Sequence, residues 1–203
     1  CEISEVAQNL HNLQRAGLRM WLPPLTSVPV DELVRRLRGK PWFEDYGSSA
    51  EGLLVPVGVE DRPADHAQRV YSIDLSAGNC GVIGMGNAGK TVALATMITA
   101  AALMYTPRRV QFYVIAFSGP DLNAISGLPH VGSFARTSEP ERVSRTIAEM
   151  TTLIQERERA FSKLSLNIHS LRRRKFGGED GEIPDDPFGD VFLVIDGWTQ
   201  FMK

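Results

Sequence analysis

The stretch that decides the fold is Gly84-Met85-Gly86-Asn87-Ala88-Gly89-Lys90-Thr91. It reads Gly, four residues, then Gly-Lys-Thr. At this chain's own frequencies of Gly, Lys and Ser/Thr, that spacing arises by chance in roughly 1 of 200 such chains. The residue types suit one kind of chemistry. Glycines let a loop wrap with its amide N–H groups turned inward. A helix starting near Gly89 adds the positive end of its dipole. Lys90 supplies a mobile ammonium, and Thr91 a hydroxyl fit for a divalent cation. These are the parts that grip a triphosphate such as ATP together with Mg2+. The plainer alternative is a glycine turn carrying an exposed lysine, and the flanking sequence argues against it.

Upstream, Cys80-Gly81-Val82-Ile83 reads as a short buried strand, and downstream Thr91 to Tyr105 is apolar on almost every side, as a buried crossover helix is. Thr106-Pro107 stops that helix. Val110 to Phe117 is near-continuously apolar, the mark of a parallel strand covered on both faces. Pro140 to Leu164 reads as a long helix, with Pro140 near its first position, Ser138 as candidate cap, and Val143, Ile147, Met150, Ile154 and Phe161 on its apolar face. Leu166 to Phe176 continues as a basic helical segment, and Phe176 to Asp190 is a Gly-, Pro- and acid-rich loop. Val191 to Ile195 reads as a buried strand ending in Asp196. Beside the phosphate loop, a carboxylate at a strand end can hold the water shell of Mg2+. Strand, helix, strand, helix, strand defines the α/β class: a mainly parallel sheet wrapped by helices.

The first 75 residues have another character. Apolar residues at Ile3, Val6, Leu10, Leu13 and Leu18 suit one helix face. Trp21-Leu22-Pro23-Pro24-Leu25 is extended, because the prolines bar a helix. Val30 to Leu37 reads as a short amphipathic helix. Leu53 to Val59, interrupted by Pro56, and Val70 to Leu75 read as two strands of a small added sheet. The expected division is a helix and linker over 1–50 and the nucleotide-binding domain over 51–203.

Composition excludes several classes. Lys+Arg 22 against Asp+Glu 24 gives a net charge of −2, which removes the electrostatic case for a duplex-coating protein. Two cysteines, Cys1 and Cys80, cannot build a disulfide framework, and no Cys/His spacing suggests zinc. No apolar run approaches the roughly 20 residues needed to cross a bilayer. The chain starts at Cys1 rather than Met, and so reads as part of something longer.

Smaller features carry plainer expectations. Arg172-Arg173-Arg174-Lys175 reads as a solvated helix end offset by the acids at Glu179 to Asp186, rather than a nucleic-acid contact. His130 and His169 lack partners at ligand spacing and read as structural. Trp21 and Trp42 read as packing anchors of the linker, with a partner interface as the sharper alternative. Asp61-Arg62-Pro63 reads as a clamp on the linker; a nucleotide contact from Arg62 is the lesser alternative. Gly197 follows Asp196 where hydrolytic enzymes of the RecA-like kind carry a Glu that orients water. Losing a general base costs about 10²- to 10⁴-fold in rate. Nucleotide binding with weak or no hydrolysis is therefore expected, and Gly197→Glu is expected to raise turnover.

The phosphate loop, the Asp196 strand and several longer stretches together carry a resemblance. These are Trp21-Leu22-Pro23-Pro24-Leu25, Val55-Pro56-Val57-Gly58-Val59-Glu60-Asp61-Arg62-Pro63, Gln111-Phe112-Tyr113, Gly127-Leu128-Pro129-His130-Val131-Gly132, Pro140-Glu141-Arg142-Val143 and Pro184-Asp185-Asp186-Pro187-Phe188-Gly189-Asp190. The chain resembles the EccC-type ATPases of type VII (ESX) secretion systems, in the FtsK/SpoIIIE family. Asp196-Gly197-Trp198 is similar to the later ATPase modules of that type. The resemblance implies a RecA-like P-loop NTPase fold, incomplete at its C-terminal side, in a string of modules on the cytoplasmic inner face of the cell membrane. It implies that Gly84 to Thr91 bind nucleotide phosphates, that Thr91 and Asp196 hold Mg2+ partly through water, and that nucleotide state is coupled to recognition and export of small helical-hairpin secreted proteins. Implied partners are neighbouring ATPase modules, membrane components of the secretion complex and copies in an oligomeric ring; DNA is not among them. Two positions depart from the pattern: Ala116 stands where relatives tend to carry Asp, and Ser118-Gly119-Pro120 replaces a glycine-rich stretch. An FtsK-like DNA translocase is the alternative reading.

Overall fold

The computed structural model describes residues 22–42, 52–117 and 120–203. The helix expected over Ile3 to Leu18, and Trp21, lie outside them. Residues 22–29 follow no regular structure, as the prolines require. Helix α1 (Val30–Arg38) carries Asp31 and Glu32 in its first turn and Arg35, Arg36 and Arg38 in its last, a distribution that suits the helix dipole. It buries Leu33 and Val34.

Strands β1 (Leu54–Arg62) and β2 (Ala67–Asp74) form an antiparallel hairpin, with an irregularity in register between Pro56 and Gly58. Pro56 has no N–H for the ladder, which is where a bulge is tolerated. Asp74 Oδ1 closes the base of the hairpin by accepting the N–H groups of Leu53 (3.0 Å) and Ser76 (2.8 Å). Among the described residues, Arg62 at the tip pairs with its near neighbours Glu60, at 2.6 Å, and Asp65, at 3.8 Å. Gln68 ties down the linker instead, donating through Nε2 to the Pro23 carbonyl at 2.7 Å.

Helix α2 (Lys90–Met104) explains its own composition. One side is covered by Val34, Leu53, Val55 and Leu75 from α1, the hairpin and their flanks; another packs on Val110, Phe112, Val114 and Ala116 of β3 (Val110–Ala116). A helix buried between two layers is apolar nearly all round. Trp42 is tied to α2 by its backbone N–H, which donates to the Leu103 carbonyl at 3.1 Å. Its ring is 61% exposed, so it is not the packing anchor expected.

The main sheet is parallel, in the order β4 (Val131–Arg136), β3, β5 (Asp190–Asp196). Helices α3 (Pro140–Leu164) and α4 (Ile168–Phe176) carry the chain from β4 to β5, and Ser133 on β4 shares a 2.8 Å hydrogen bond with Thr146 on α3. The bounds of α3 agree with the sequence reading, but two details do not. Glu139, not Ser138, takes the N-cap position, and its carboxylate accepts the Arg136 N–H at 3.2 Å instead of capping the helix. Ile154 is 53% exposed, because the helix outruns the sheet: 25 residues of helix span about 37 Å, against about 20 Å for these strands.

The basic run is a solvated helix end only in part: Arg173 is exposed and offset by an acid of the following loop, as expected, but Arg172 is not. Arg172 is buried and holds Asp190 Oδ1 at 2.6 Å, with Arg109 on the same carboxylate. Arg173 pairs with Glu179 at 2.6 Å, Arg174 donates to the Glu182 carbonyl at 3.0 Å, and Lys175 donates to the carbonyls of Asp186 and Phe188. These bonds strap the 177–189 loop onto α4.

Two strand expectations need correction. Residues 80–83 join no sheet and are exposed; Ile83 is 98% accessible. A strand needs a neighbour for its backbone groups, and among the described residues none pairs there or with the outer edge of β5. For the same reason β5 is half-buried rather than buried.

Candidate functional site

The glycine-rich loop enters α2 through two left-handed residues, Asn87 (φ 56°) and Gly89 (φ 79°). Asn and Gly are the residues that accept this conformation at least cost. The reversal lets α2 begin at Lys90 with its first amides facing the loop. A Cβ built on Gly86 or Gly89 would meet nothing within 4 Å, so the loop is open to a ligand on those sides. Lys90 reaches back across it, and Nζ donates to the carbonyls of Gly84 (3.0 Å) and Met85 (2.5 Å).

Thr91, one residue into the helix, places Oγ1 at 3.1 and 3.3 Å from the two carboxylate oxygens of Asp196. Asp196 is buried at the last position of β5, and its carbonyl accepts the Phe117 N–H at 2.8 Å. A hydroxyl and a carboxylate so close form a hard-oxygen donor pair of the kind Mg2+ takes, usually keeping several waters. An ammonium and a helix N-terminus lie alongside. The residues present therefore fit a Mg-polyphosphate.

Topology puts this corner where ligands of open α/β sheets bind. From β3 the chain passes to β4 on one side and returns to β5 on the other, and the crevice lies beyond the carboxyl ends of the strands at that reversal. Ala116 ends β3 in register with Asp196 on one side and Arg136 on the other. Arg136 had no signal in the sequence. Only the strand pairing reveals that it stands at the same edge.

Gly197 sits at φ 98°, ψ 52°, and starts the short terminal helix α5 (Trp198–Phe201). A side chain there would carry left-handed strain, so the position lacks a catalytic carboxylate for a backbone reason as well as a chemical one.

The structure thus brings Gly84, Met85, Gly86, Asn87, Ala88, Gly89, Lys90, Thr91 and Asp196 to one corner. The histidines stay away from it. His130 is buried, with Nε2 at 2.7 Å from the Tyr105 carbonyl, while His169 is exposed. Among the described residues no group of three or more His, Cys, Asp or Glu could hold a metal, and no helix is long and apolar enough to cross a membrane.

Sheet order, loop and strand-end carboxylate define a phosphate-loop nucleotide-binding protein of the α/β class. The comparisons sharpen this: the FtsK/SpoIIIE family model matches residues 32–202, and the chain belongs to that family. It is 44% identical over 202 residues to the ESX-5 secretion system protein EccC5 of Mycobacterium tuberculosis, covering 98% of this chain and 14% of that protein. The chain thus spans about one seventh of the length of that relative. The solved cytoplasmic domain of the Thermomonospora curvata type VII secretion ATPase EccC superposes with a TM-score of 0.75 at 38% identity, over 90% of this chain and 22% of that one. A structure of the same protein's ATPases 2 and 3, in complex with a signal sequence peptide, gives 0.71 at 38% identity, over 88% and 33%. The fold class and the family resemblance read from the sequence hold.

Proposed function

We propose that this chain is a Mg-ATP-binding module of a type VII secretion ATPase, and that it turns nucleotide over slowly or not at all in isolation. The observation that carries the reading is the contact between Thr91 and Asp196, which joins the phosphate loop to the metal-holding strand end. In this reading the amides of 84–89 and Lys90 hold the phosphates, and Thr91 and Asp196 hold Mg2+, the latter partly through water. Magnesium, when bound, supplies neutralising charge between phosphate oxygens. Residues 51–203 make up the nucleotide domain, led in by 1–50.

Gly197 and Ala116 support slow turnover, since neither can orient a water molecule. The module acts through its neighbours: other ATPase modules of the same or a partner chain, membrane components of a secretion complex at the cytoplasmic face, and small helical-hairpin export substrates. The match to a fragment holding only ATPases 2 and 3 supports a later position in the string, and that fragment's bound signal sequence peptide supports recognition of export signals.

The DNA-translocase reading is the weaker one. The densest basic run is bound to Asp190, Glu179 and loop carbonyls within the molecule, not held on an open face. Calorimetry with Mg-ATP tests the proposal. Saturable binding in the wild type, lost in Lys90→Ala, is the expected result; no heat with well-folded protein overturns it. Hydrolysis stimulated by DNA would favour the translocase.

A further inference from the structure

We infer that Arg136 reads the outermost phosphate of the bound nucleotide from within the same chain, so that the module distinguishes ATP from ADP. This rests on the nucleotide-binding reading above.

The placement comes from register. Ala116 is the Cα partner of Arg136 on β4 and of Asp196 on β5. Directly paired residues project from the same face of a sheet. Ala116 belongs to the core that packs against α2, so this is the face from which Thr91 meets Asp196. Arg136 and Asp196 therefore stand level, two strands or about 10 Å apart, at the carboxyl edge of the sheet. Between them lies a single methyl group. A larger residue than Ala116 would fill the gap that the two side chains border.

The state of the guanidinium suits the role. Its Nε and Nη2 both donate to Oδ1 of Asn123, at 3.1 and 2.9 Å, and it lies 5.2 Å over the ring of Phe134. Asn123 is neutral, so these bonds orient the charge without cancelling it. The acidic partner, Glu139, is 3.8 Å from Nη1; its carboxylate also accepts from the Arg136 backbone N–H and from Arg142. Arg109 and Arg172, by contrast, share a buried carboxylate. Arg136 is 46% exposed, pre-oriented and weakly neutralised. Planar, forked donors of this kind suit phosphate oxygens. The loop amides cradle the inner phosphates and Lys90 reaches from the inner to the outer one; the Asp196 side of the site also faces the outer phosphate, which ADP lacks, and Arg136 adds a second cation there.

The test is a set of dissociation constants for Mg-ATP and Mg-ADP, by calorimetry on the 203-residue chain, for the wild type, Arg136→Ala, Arg136→Lys and Lys90→Ala. Thermal unfolding of each variant confirms that it folds. Arg136→Ala is expected to weaken ATP about tenfold or more, the scale of one charge-assisted bond, while leaving ADP within about twofold; Arg136→Lys recovers part of the loss. An unchanged ATP-to-ADP ratio in Arg136→Ala, or equal weakening of both nucleotides, overturns the inference while the binding proposal stands. A wild type that binds neither nucleotide overturns both. A loss seen only at concentrations where copies associate assigns the contact to a neighbouring copy and overturns the same-chain role.

Discussion

Thr91 Oγ1 lies 3.1 Å from Asp196 Oδ2, a contact made across 105 residues of sequence. It joins the first turn of α2 to the end of β5 and makes one site of two motifs. Asp196→Asn keeps the side chain's size and removes the charge that a divalent ion needs. The expected outcome is loss of most of the Mg2+ dependence of ATP affinity, checked by titrating ATP with and without magnesium. Lys90→Ala is expected to abolish binding with or without the metal. Among the described residues its ammonium is bonded to two loop carbonyls, so stability should change by no more than about 0.5 kcal/mol.

Restoring a carboxylate beside Asp196 is expected to fail. At φ 98°, Gly197 occupies a region that costs a residue with a Cβ about 1–2 kcal/mol. Gly197→Glu should lower the thermal midpoint and leave turnover near its starting value, contrary to what motif comparison alone suggests. Gly197→Asn should lower the midpoint less, since Asn tolerates the left-handed region. A phosphate-release assay beside a melting curve reads both effects.

Asp190 binds two buried guanidiniums, Arg109 and Arg172, and Arg109 also lies over the ring of Phe176. Removing the shared carboxylate strands both cations away from water. Asp190→Ala is expected to destabilise the fold by about 3–5 kcal/mol, the usual cost of breaking a buried pair from one side. Chemical denaturation measures it. Truncating an exposed pair such as Arg145–Glu149 should cost under about 1 kcal/mol.

Burial holds the His130 imidazole below its usual value, against the opposing pull of the Tyr105 carbonyl. Its Nδ1 meets no hydrogen-bond partner among the described residues, so a second N–H there would gain nothing. Above about pH 6.5 the ring is neutral in both folded and unfolded chains and contributes no pH dependence. As pH falls below that, the unfolded chain takes up a proton that the folded chain refuses, and stability declines until the folded value is reached. His130→Gln should flatten this part of the slope. Denaturation midpoints at pH 7.5 and 5.5 give the comparison.

Much of this was legible in the chain. The run from Val110, the all-apolar α2 and the proline-started α3 are local patterns, and local patterns reflect burial and backbone preference directly. The readings that failed depended on what lies alongside. Cys80 to Ile83 has the composition of a strand but no pairing neighbour. Ile154 has helical spacing but extends past the sheet that would cover it. Arg172 looked like one of four solvated cations until the fold set Asp190 against it.

The amino-acid order alone determined the chemistry of the loop, because a tight turn, a helix start, an ammonium and a hydroxyl are all specified within eight consecutive residues. Tertiary structure alone decided how close Asp196 comes to that hydroxyl, which arginine stands level with it, and why no acid occupies position 197. Strand register and backbone handedness are set by packing across the whole sheet, and no short stretch of sequence encodes them.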